Sequence, residues 1–137
     1  MRFPGRFGQR AQRRLKREKV IWLTSVDAGG VPQPRPVWFD WNGRDFLICS
    51  RPGTAKLRQI RGHPSVALHL NSTEDGDDVV VLLGVARIAR ARVSGARRER
   101  YLRKYRQGIR DLGMTPASFL EEYSVAIHVR PTGLRGF

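Results

Sequence analysis

Apolar positions near the start of the chain follow a helical spacing and then crowd together. A basic amphipathic helix is predicted over residues 6–18 from three apolar side chains at four-residue spacing, Phe7, Ala11 and Leu15. Residues 20–25 are rich in β-branched and aromatic side chains, which favours a strand. Paired glycines in residues 27–30 then predict a turn, because glycine adopts positive φ without steric cost. The chain is therefore expected to enter β-structure directly after one helix.

The next segment predicts a β-meander. A strand is predicted over residues 33–41, with three prolines around its start, Pro32, Pro34 and Pro36. Proline donates no ladder hydrogen bond, so this part is expected at a sheet edge or facing a ligand. Asn42-Gly43 is a strong hairpin signal, and it precedes a further strand over residues 45–49.

Short elements alternate along the rest of the chain. The pattern predicts a helix over 55–61, strands over 65–70 and 79–93, helices over 96–107 and 116–122, and a strand over 123–129. Thr54, Ser94 and Thr115 are the expected N-caps, with Pro116 at a first helical position. Gly84 predicts a bulge or a close backbone approach in the long strand, and Pro131 is expected to end the last strand.

This order of elements predicts one domain over residues 1–137. Adjacent hairpins dominate and no βαβ unit is repeated, which favours a mainly β (α+β) antiparallel barrel with short peripheral helices.

Positive charge is concentrated in two segments. The formal net charge is +14, and residues 1–19 carry eight Lys/Arg against one acidic residue, while residues 87–110 carry ten against one. Such segments attract polyanions, which include nucleic acid, an anionic membrane surface and an acidic cofactor tail, or they simply keep helix faces soluble.

The remaining composition limits the chemistry. Cys49 is the only cysteine and lies in an apolar run, so a buried structural thiol and a cytoplasmic location are expected. The three histidines, His63, His69 and His128, lack metal-ligand spacing, and no metal site is predicted. No apolar run reaches the length of a membrane span, and no secretion signal is predicted. Trp22, Trp38 and Trp41 are expected in the core or an interface.

The segment from Ser50 to Lys56 has the components of a phosphate site. It combines a strand end, a glycine, the hydroxyl groups of Ser50 and Thr54, and a helix N-terminus with Lys56 one turn inside. The alternative is an ordinary capped helix with an exposed lysine. The spacing is not that of a Walker loop.

Four motifs resemble the pyridoxamine-phosphate-oxidase-like superfamily, and more closely its actinobacterial branch of probable coenzyme F420-dependent enzymes. They are VPQPRPVWF at 31–39, SRPGTAKL at 50–57, PSVALHL at 64–70 and the YLxKY pattern at 101–105. The similarity extends from about Trp22 to Arg130. Leu83 departs from the pattern, because relatives often have a glutamate before the glycine.

The resemblance implies a split β-barrel homodimer with two cofactor sites at the subunit interface. The residues that it implies for the tricyclic ring are Gln33, Pro36, Val37 and Trp38. Those that it implies for the phosphate are Ser50, Arg51, Thr54, Ala55 and Lys56. No catalytic residue is assigned, since no Ser/His/Asp or Cys/His signature is visible.

The function implied is an oxidoreductase that transfers a hydride between coenzyme F420 and a small organic substrate. The acidic polyglutamyl tail of that coenzyme suits the basic segments. The alternatives are an FMN-binding oxidase or reductase of the same fold, a carrier of haem-like cargo, and a nucleic-acid-binding protein. No helix-turn-helix or aromatic RNA-stacking motif supports specific nucleic-acid recognition.

Overall fold

The computed structural model describes all residues, 1–137. Seven strands and five helices alternate along the chain. The strands are β1 (Ile21–Val26), β2 (Pro32–Val37), β3 (Asp40–Trp41), β4 (Phe46–Ser50), β5 (Ser65–His69), β6 (Val80–Ile88) and β7 (Val125–Gly136). The helices are α1 (Gly5–Arg17), α2 (Ala55–Gly62), α3 (Gly95–Lys104), α4 (Arg106–Asp111) and α5 (Pro116–Glu122).

All seven strands form one curled antiparallel sheet in the order β2-β1-β5-β6-β7-β4-β3. The main core lies inside the curl, where α1 and α2 cover it with Ala11, Leu15, Leu57 and Ile60. A second core between the sheet and α3–α5 contains Tyr101, Tyr105 and Phe119. The predicted mainly β split barrel with peripheral helices is confirmed. No helix is both long and apolar enough to cross a membrane.

The proline-rich strand lies at the edge of the sheet, as its composition predicts. β2 pairs only with β1, and Pro32, Pro34 and Pro36 share one face of it. In an antiparallel strand, every second residue directs its N–H and C=O groups toward the same neighbouring strand. The missing proline donors therefore belong on the free edge, where no partner strand needs them.

Two predicted strands and one predicted helix have different boundaries in the structure. The strand predicted over 33–41 breaks after Val37 and resumes at Asp40, and β6 ends at Ile88 rather than near residue 93. The helix predicted over 96–107 divides at Tyr105 into α3 and α4. The Tyr105 hydroxyl accepts a hydrogen bond from the Phe39 N–H at 2.8 Å, so this residue attaches the helices to the break between β2 and β3.

Pro131 does not end the last strand, which was expected to stop there. β7 continues to Gly136, and the register with β6 shifts between Leu83 and Gly84, so that Gly84 pairs with Pro131. A bulge tolerates a residue without an N–H donor. The predicted role of Gly84 is confirmed, since a Cβ there would lie 2.9 Å from the Arg130 carbonyl oxygen.

The predicted N-caps behave differently from one another. Thr115 forms a full capping box with Ser118, and Pro116 occupies the first turn of α5. Thr54 and Ser94 hold the N-cap positions of α2 and α3 but make no side-chain capping bond.

A buried carboxylate fixes α3 to the sheet. Asp40 accepts hydrogen bonds from Arg97 Nε at 2.8 Å and from Arg100 Nε and Nη2 at 3.0 and 2.7 Å. Arg97 also donates to Asp45 Oδ1 at 2.6 Å, and Lys104 Nζ donates to the Phe39 carbonyl oxygen at 2.8 Å. Part of the basic segment 87–110 is therefore structural.

Candidate functional site

The segment predicted to bind phosphate connects β4 to α2. Ser50 is the last residue of β4, and Ala55 and Lys56 are the first residues of α2. The backbone N–H groups of a first helical turn have no partner within the helix. Gly53 has φ of +74°, which permits the tight approach to the helix. The turn therefore leaves the N–H groups at the start of α2 available as hydrogen-bond donors.

The hydroxyl groups of this segment contact each other. Ser50 is buried, and its Oγ donates to the Arg51 carbonyl oxygen at 2.8 Å and lies 3.1 Å from Thr54 Oγ1. Ser50 therefore orients Thr54, which is the more exposed of the two hydroxyls.

The Arg51 side chain is bound on the surface. Its Nη2 lies 2.9 Å from Glu122 Oε2, and its guanidinium lies 5.1 Å from the centre of the Tyr123 ring. The hydrogen bond and charge of Glu122 raise the pKa of Arg51. Arg51 thus joins the segment to α5.

Lys56 is a half-buried ammonium without an acidic partner. None of the ion pairs of the structure includes it. Burial, and to a smaller extent the charge of Arg35, lower the pKa of Lys56. A partly desolvated cation of this kind is stabilised by an anion.

Arg35 is the site residue that the sequence analysis missed. It lies on the face of β2 opposite the prolines, and its guanidinium donates to Ser25 Oγ and Gln59 Oε1, both at 2.9 Å. Burial lowers the pKa of Arg35, and no carboxylate pairs with it. The sequence could have indicated Arg35, because side chains alternate between the two faces of a strand. This alternation over residues 32–36 puts Arg35 on the same face as Gln33, which was a predicted site residue.

An apolar cleft of about 430 Å³ adjoins this cation pair. Its lining includes four of the nine predicted site residues, Pro36, Val37, Trp38 and Lys56. The other lining residues are Val20, Cys49, Tyr101, Leu112, Phe119 and Tyr123. The cleft thus joins a cationic end to a mainly apolar body.

The remaining predicted residues lie outside the cleft lining. Ser50, Arg51, Thr54 and Ala55 belong to the segment beside it, while the Gln33 amide donates to Asp27 Oδ2 at 3.2 Å. Trp38 packs as a core aromatic, as expected, with its ring 4.5 Å from that of Tyr105 and 5.6 Å from that of Phe119.

Cys49 is less enclosed than expected. It is half-buried and lines the cleft rather than lying in the main core. Burial raises the pKa of its thiol to about 12, so the thiolate is scarce near neutral pH. Nucleophilic chemistry by Cys49 is not favoured by this environment.

Comparison with solved structures places the same fold in proteins with different ligands. An F420 reductase superposes with a TM-score of 0.69 at 22% identity, over 90% of this chain and 94% of that chain. An FAD-binding protein from Mesorhizobium loti gives a TM-score of 0.65 at 15% identity, over 92% and 88%. The heme storage protein HutZ from Vibrio cholerae gives 0.59 at 19% identity, over 99% and 95%.

Sequence comparison assigns the family. No curated protein sequence matches the chain. The sequence profile of the family described as pyridoxamine 5'-phosphate oxidase matches residues 7–135, which is almost the whole chain. The split barrel and this match agree, and the chain belongs to the pyridoxamine 5'-phosphate oxidase family.

Proposed function

We propose that this protein is an F420-dependent oxidoreductase that holds its cofactor between β2 and α2. The observation that carries the proposal is Lys56, a half-buried ammonium with no carboxylate partner at one end of an apolar cleft, and the nearby Arg35, which also has no carboxylate partner and whose charge acts on Lys56. Their burial costs free energy unless an anion compensates it. A phosphate-bearing ring cofactor supplies both the anion and an apolar body that fits the cleft.

The phosphate would be held by groups that have no charged partner within the protein. These are the Lys56 ammonium, the Arg35 guanidinium, the free N–H groups of Ala55 and Lys56, and the Thr54 hydroxyl. Ser50 and Arg51 act here as positioning residues, because Ser50 is buried and Arg51 is paired with the Glu122 carboxylate.

The ring would lie along the end of β2. Pro36, Val37 and Trp38 form this wall of the cleft, and Gln33 lies further along the same strand. When bound, F420 supplies hydride transfer, and the chain contributes orientation and exclusion of water. The small organic substrate would enter beside the ring.

The preference for F420 over FMN rests on charge. The chain carries a net charge of +14, and its exposed arginines would attract an acidic tail. The fold itself is compatible with either cofactor, because it occurs both in an F420 reductase and in an FAD-binding protein. FMN is the alternative cofactor, and a Soret absorption band in the purified protein would instead indicate heme.

A homodimer with cofactor sites at the interface belongs to the same proposal. Leu83 is exposed on the outer face of β6, two residues after the partly exposed Val81. Such an apolar strand face is suited to burial by a second copy. Light scattering at micromolar concentration should give twice the chain mass, and a monomer would contradict this part of the proposal.

Titration with F420 and with FMN, followed by tryptophan fluorescence, tests the proposal. F420 should bind more tightly than FMN at fixed moderate salt. Lys56→Ala should weaken F420 binding by about 1–3 kcal/mol, or roughly 5- to 150-fold in Kd, through loss of a charge-assisted contact.

Arg61→Ala is the matched control, because it removes one exposed charge from the same helix. Its effect should be much smaller than that of Lys56→Ala. Equal losses in the two variants would show only general attraction to a basic protein. Tighter binding of FMN would overturn the choice of cofactor.

A further inference from the structure

A second group of cations lies on the outer face of the sheet. Arg87 of β6 is directly opposite His128 of β7, and Arg130 follows two residues later on the same face. Arg44 reaches this place from the hairpin between β3 and β4. We name these four residues the β6–β7 basic cluster. Three chain segments therefore converge on it.

The three arginines of the cluster lack acidic partners. None of the ion pairs of the structure includes Arg44, Arg87 or Arg130. The one carboxylate present is Asp45, whose Oδ1 already accepts a bond from Arg97 at 2.6 Å. Positive charge therefore exceeds negative charge at this place, and the guanidinium donors are free.

His128 contains an orphaned polar atom. Its Nδ1 is buried without a hydrogen-bond partner, and the nearest carboxylate oxygen is Asp45 Oδ2 at 3.7 Å. Burial and then the charge of Arg87 lower the pKa of His128, with Arg97 adding to this effect and Asp45 opposing it. Arg44 and Arg130 also line the same cavity. Burial first, and then the neighbouring arginines, favour the neutral form of the ring.

The cluster surrounds a cavity of about 360 Å³ that is lined mostly by ionisable residues. Val85 is the only apolar residue lining it, and it shares no residue with the apolar cleft. This volume is within the range of small-molecule sites, and the lining favours a small polar anion over a flavin-like ring. Guanidinium groups bind phosphate oxygens in a bidentate manner.

We propose that the β6–β7 basic cluster is a second binding site, which takes a small dianionic phosphate group. The group can belong to free phosphate or to a phosphate monoester. Arg44, Arg87 and Arg130 would bind its oxygens, and a protonated His128 would add a further donor. By linkage, a bound anion raises the pKa of His128.

Proton NMR of the three histidine rings tests this site directly. On addition of inorganic phosphate at constant ionic strength, the His128 signals should shift saturably and its pKa should rise. His63 and His69 lie elsewhere and are internal references. A titration with chloride distinguishes the dianion from general salt, and glycerol 3-phosphate tests whether a monoester also fits. A smaller effect from the ester would restrict the site to free phosphate.

Variants separate the cluster from the net charge and from the proposed cofactor site. Arg44→Ala, in an exposed hairpin, and Arg130→Ala should each weaken phosphate binding by about tenfold or more. Arg13→Ala removes an equal charge from the exposed face of α1 and should change little. Lys56→Ala should leave the His128 response intact, whether or not the proposed function holds.

Two results would overturn the proposal. One is the absence of a saturable His128 shift with phosphate in the folded protein. The other is an equal loss of phosphate affinity in Arg13→Ala and Arg44→Ala, which would mean that phosphate is attracted only by the net charge of the protein.

Discussion

Replacing Asp40 by asparagine should destabilise the fold through α3. The substitution keeps the size of the side chain but removes the charge that faces Arg97 and Arg100. The carboxylate side chain is only 5% exposed, so water cannot replace it as an acceptor. We expect the attachment of α3 to the sheet to weaken more than any other contact.

The magnitude follows from the exposure of each partner. Breaking a buried ion pair costs about 3–5 kcal/mol when the remaining charge stays buried. Arg100 is 46% exposed and can turn to solvent, while Arg97 keeps Asp45 as a partner. Both facts reduce the penalty, and we expect a loss of about 2–3 kcal/mol in the free energy of unfolding.

The loss should depend on pH in a definite direction. Burial acts to raise the pKa of Asp40, but Arg100 and Arg97 outweigh it, so the folded-state pKa lies below the ordinary value. The stabilisation is therefore complete above the unfolded-state pKa and disappears as the pH falls through the folded-state pKa. The difference between wild type and Asp40→Asn should be constant near neutral pH and shrink below about pH 4.

Urea unfolding of both proteins at pH 7 and across the acid range measures this. Arg100→Met provides the second arm of a double-mutant cycle, since it keeps the aliphatic stem and removes the charge. A destabilisation below about 0.5 kcal/mol, with no coupling to Arg100, would refute the reasoning, because it would place the pair in the class of ordinary surface pairs.

Further predictions concern three other positions. Gly84→Ala should lower the free energy of unfolding by about 1–3 kcal/mol, since its Cβ would lie 2.9 Å from the Arg130 carbonyl oxygen; thermal unfolding with an unchanged Tm would contradict this. Tyr105→Phe should cost about 1–3 kcal/mol in urea unfolding, because the Phe39 N–H loses its acceptor, and a loss under about 0.5 kcal/mol would show that water replaces it. Cys49, with a thiol pKa of about 12, should react with a thiol reagent at pH 8 far more slowly in the native than in the unfolded protein, and equal rates would mean that the thiol is open to solvent.

Local chemistry was sufficient to predict many elements. The Asn42-Gly43 hairpin, the edge position of the proline-rich strand and the N-cap at Thr115 depend on residues only a few positions apart. Gly84 belongs to the same class, because a glycine within an apolar strand indicates a bulge or a close approach. The sequence motifs also indicated the family, and the match of the family profile to residues 7–135 confirms it.

Only the tertiary structure decided which residues distant in sequence pair or form hydrogen bonds with each other. Pro131 can remain within β7 only because it falls at the bulge opposite Gly84. The division of the predicted helix at Tyr105 accompanies a hydrogen bond to Phe39, which is 66 residues away. Sequence periodicity carries no information on such partners, so it could not place these boundaries.

The difference between what the sequence determined and what the fold decided also applies to the charged residues and to the candidate site. The sequence by itself determined that two segments are strongly basic and that residues 50–56 could seat a phosphate. Only the folded chain separates Arg97 and Arg100, which neutralise Asp40, from Arg35 and Lys56, which have no acidic partner. The reason is physical: whether a cation is compensated depends on burial and on charges within a few ångströms, and the fold brings these together from distant parts of the chain.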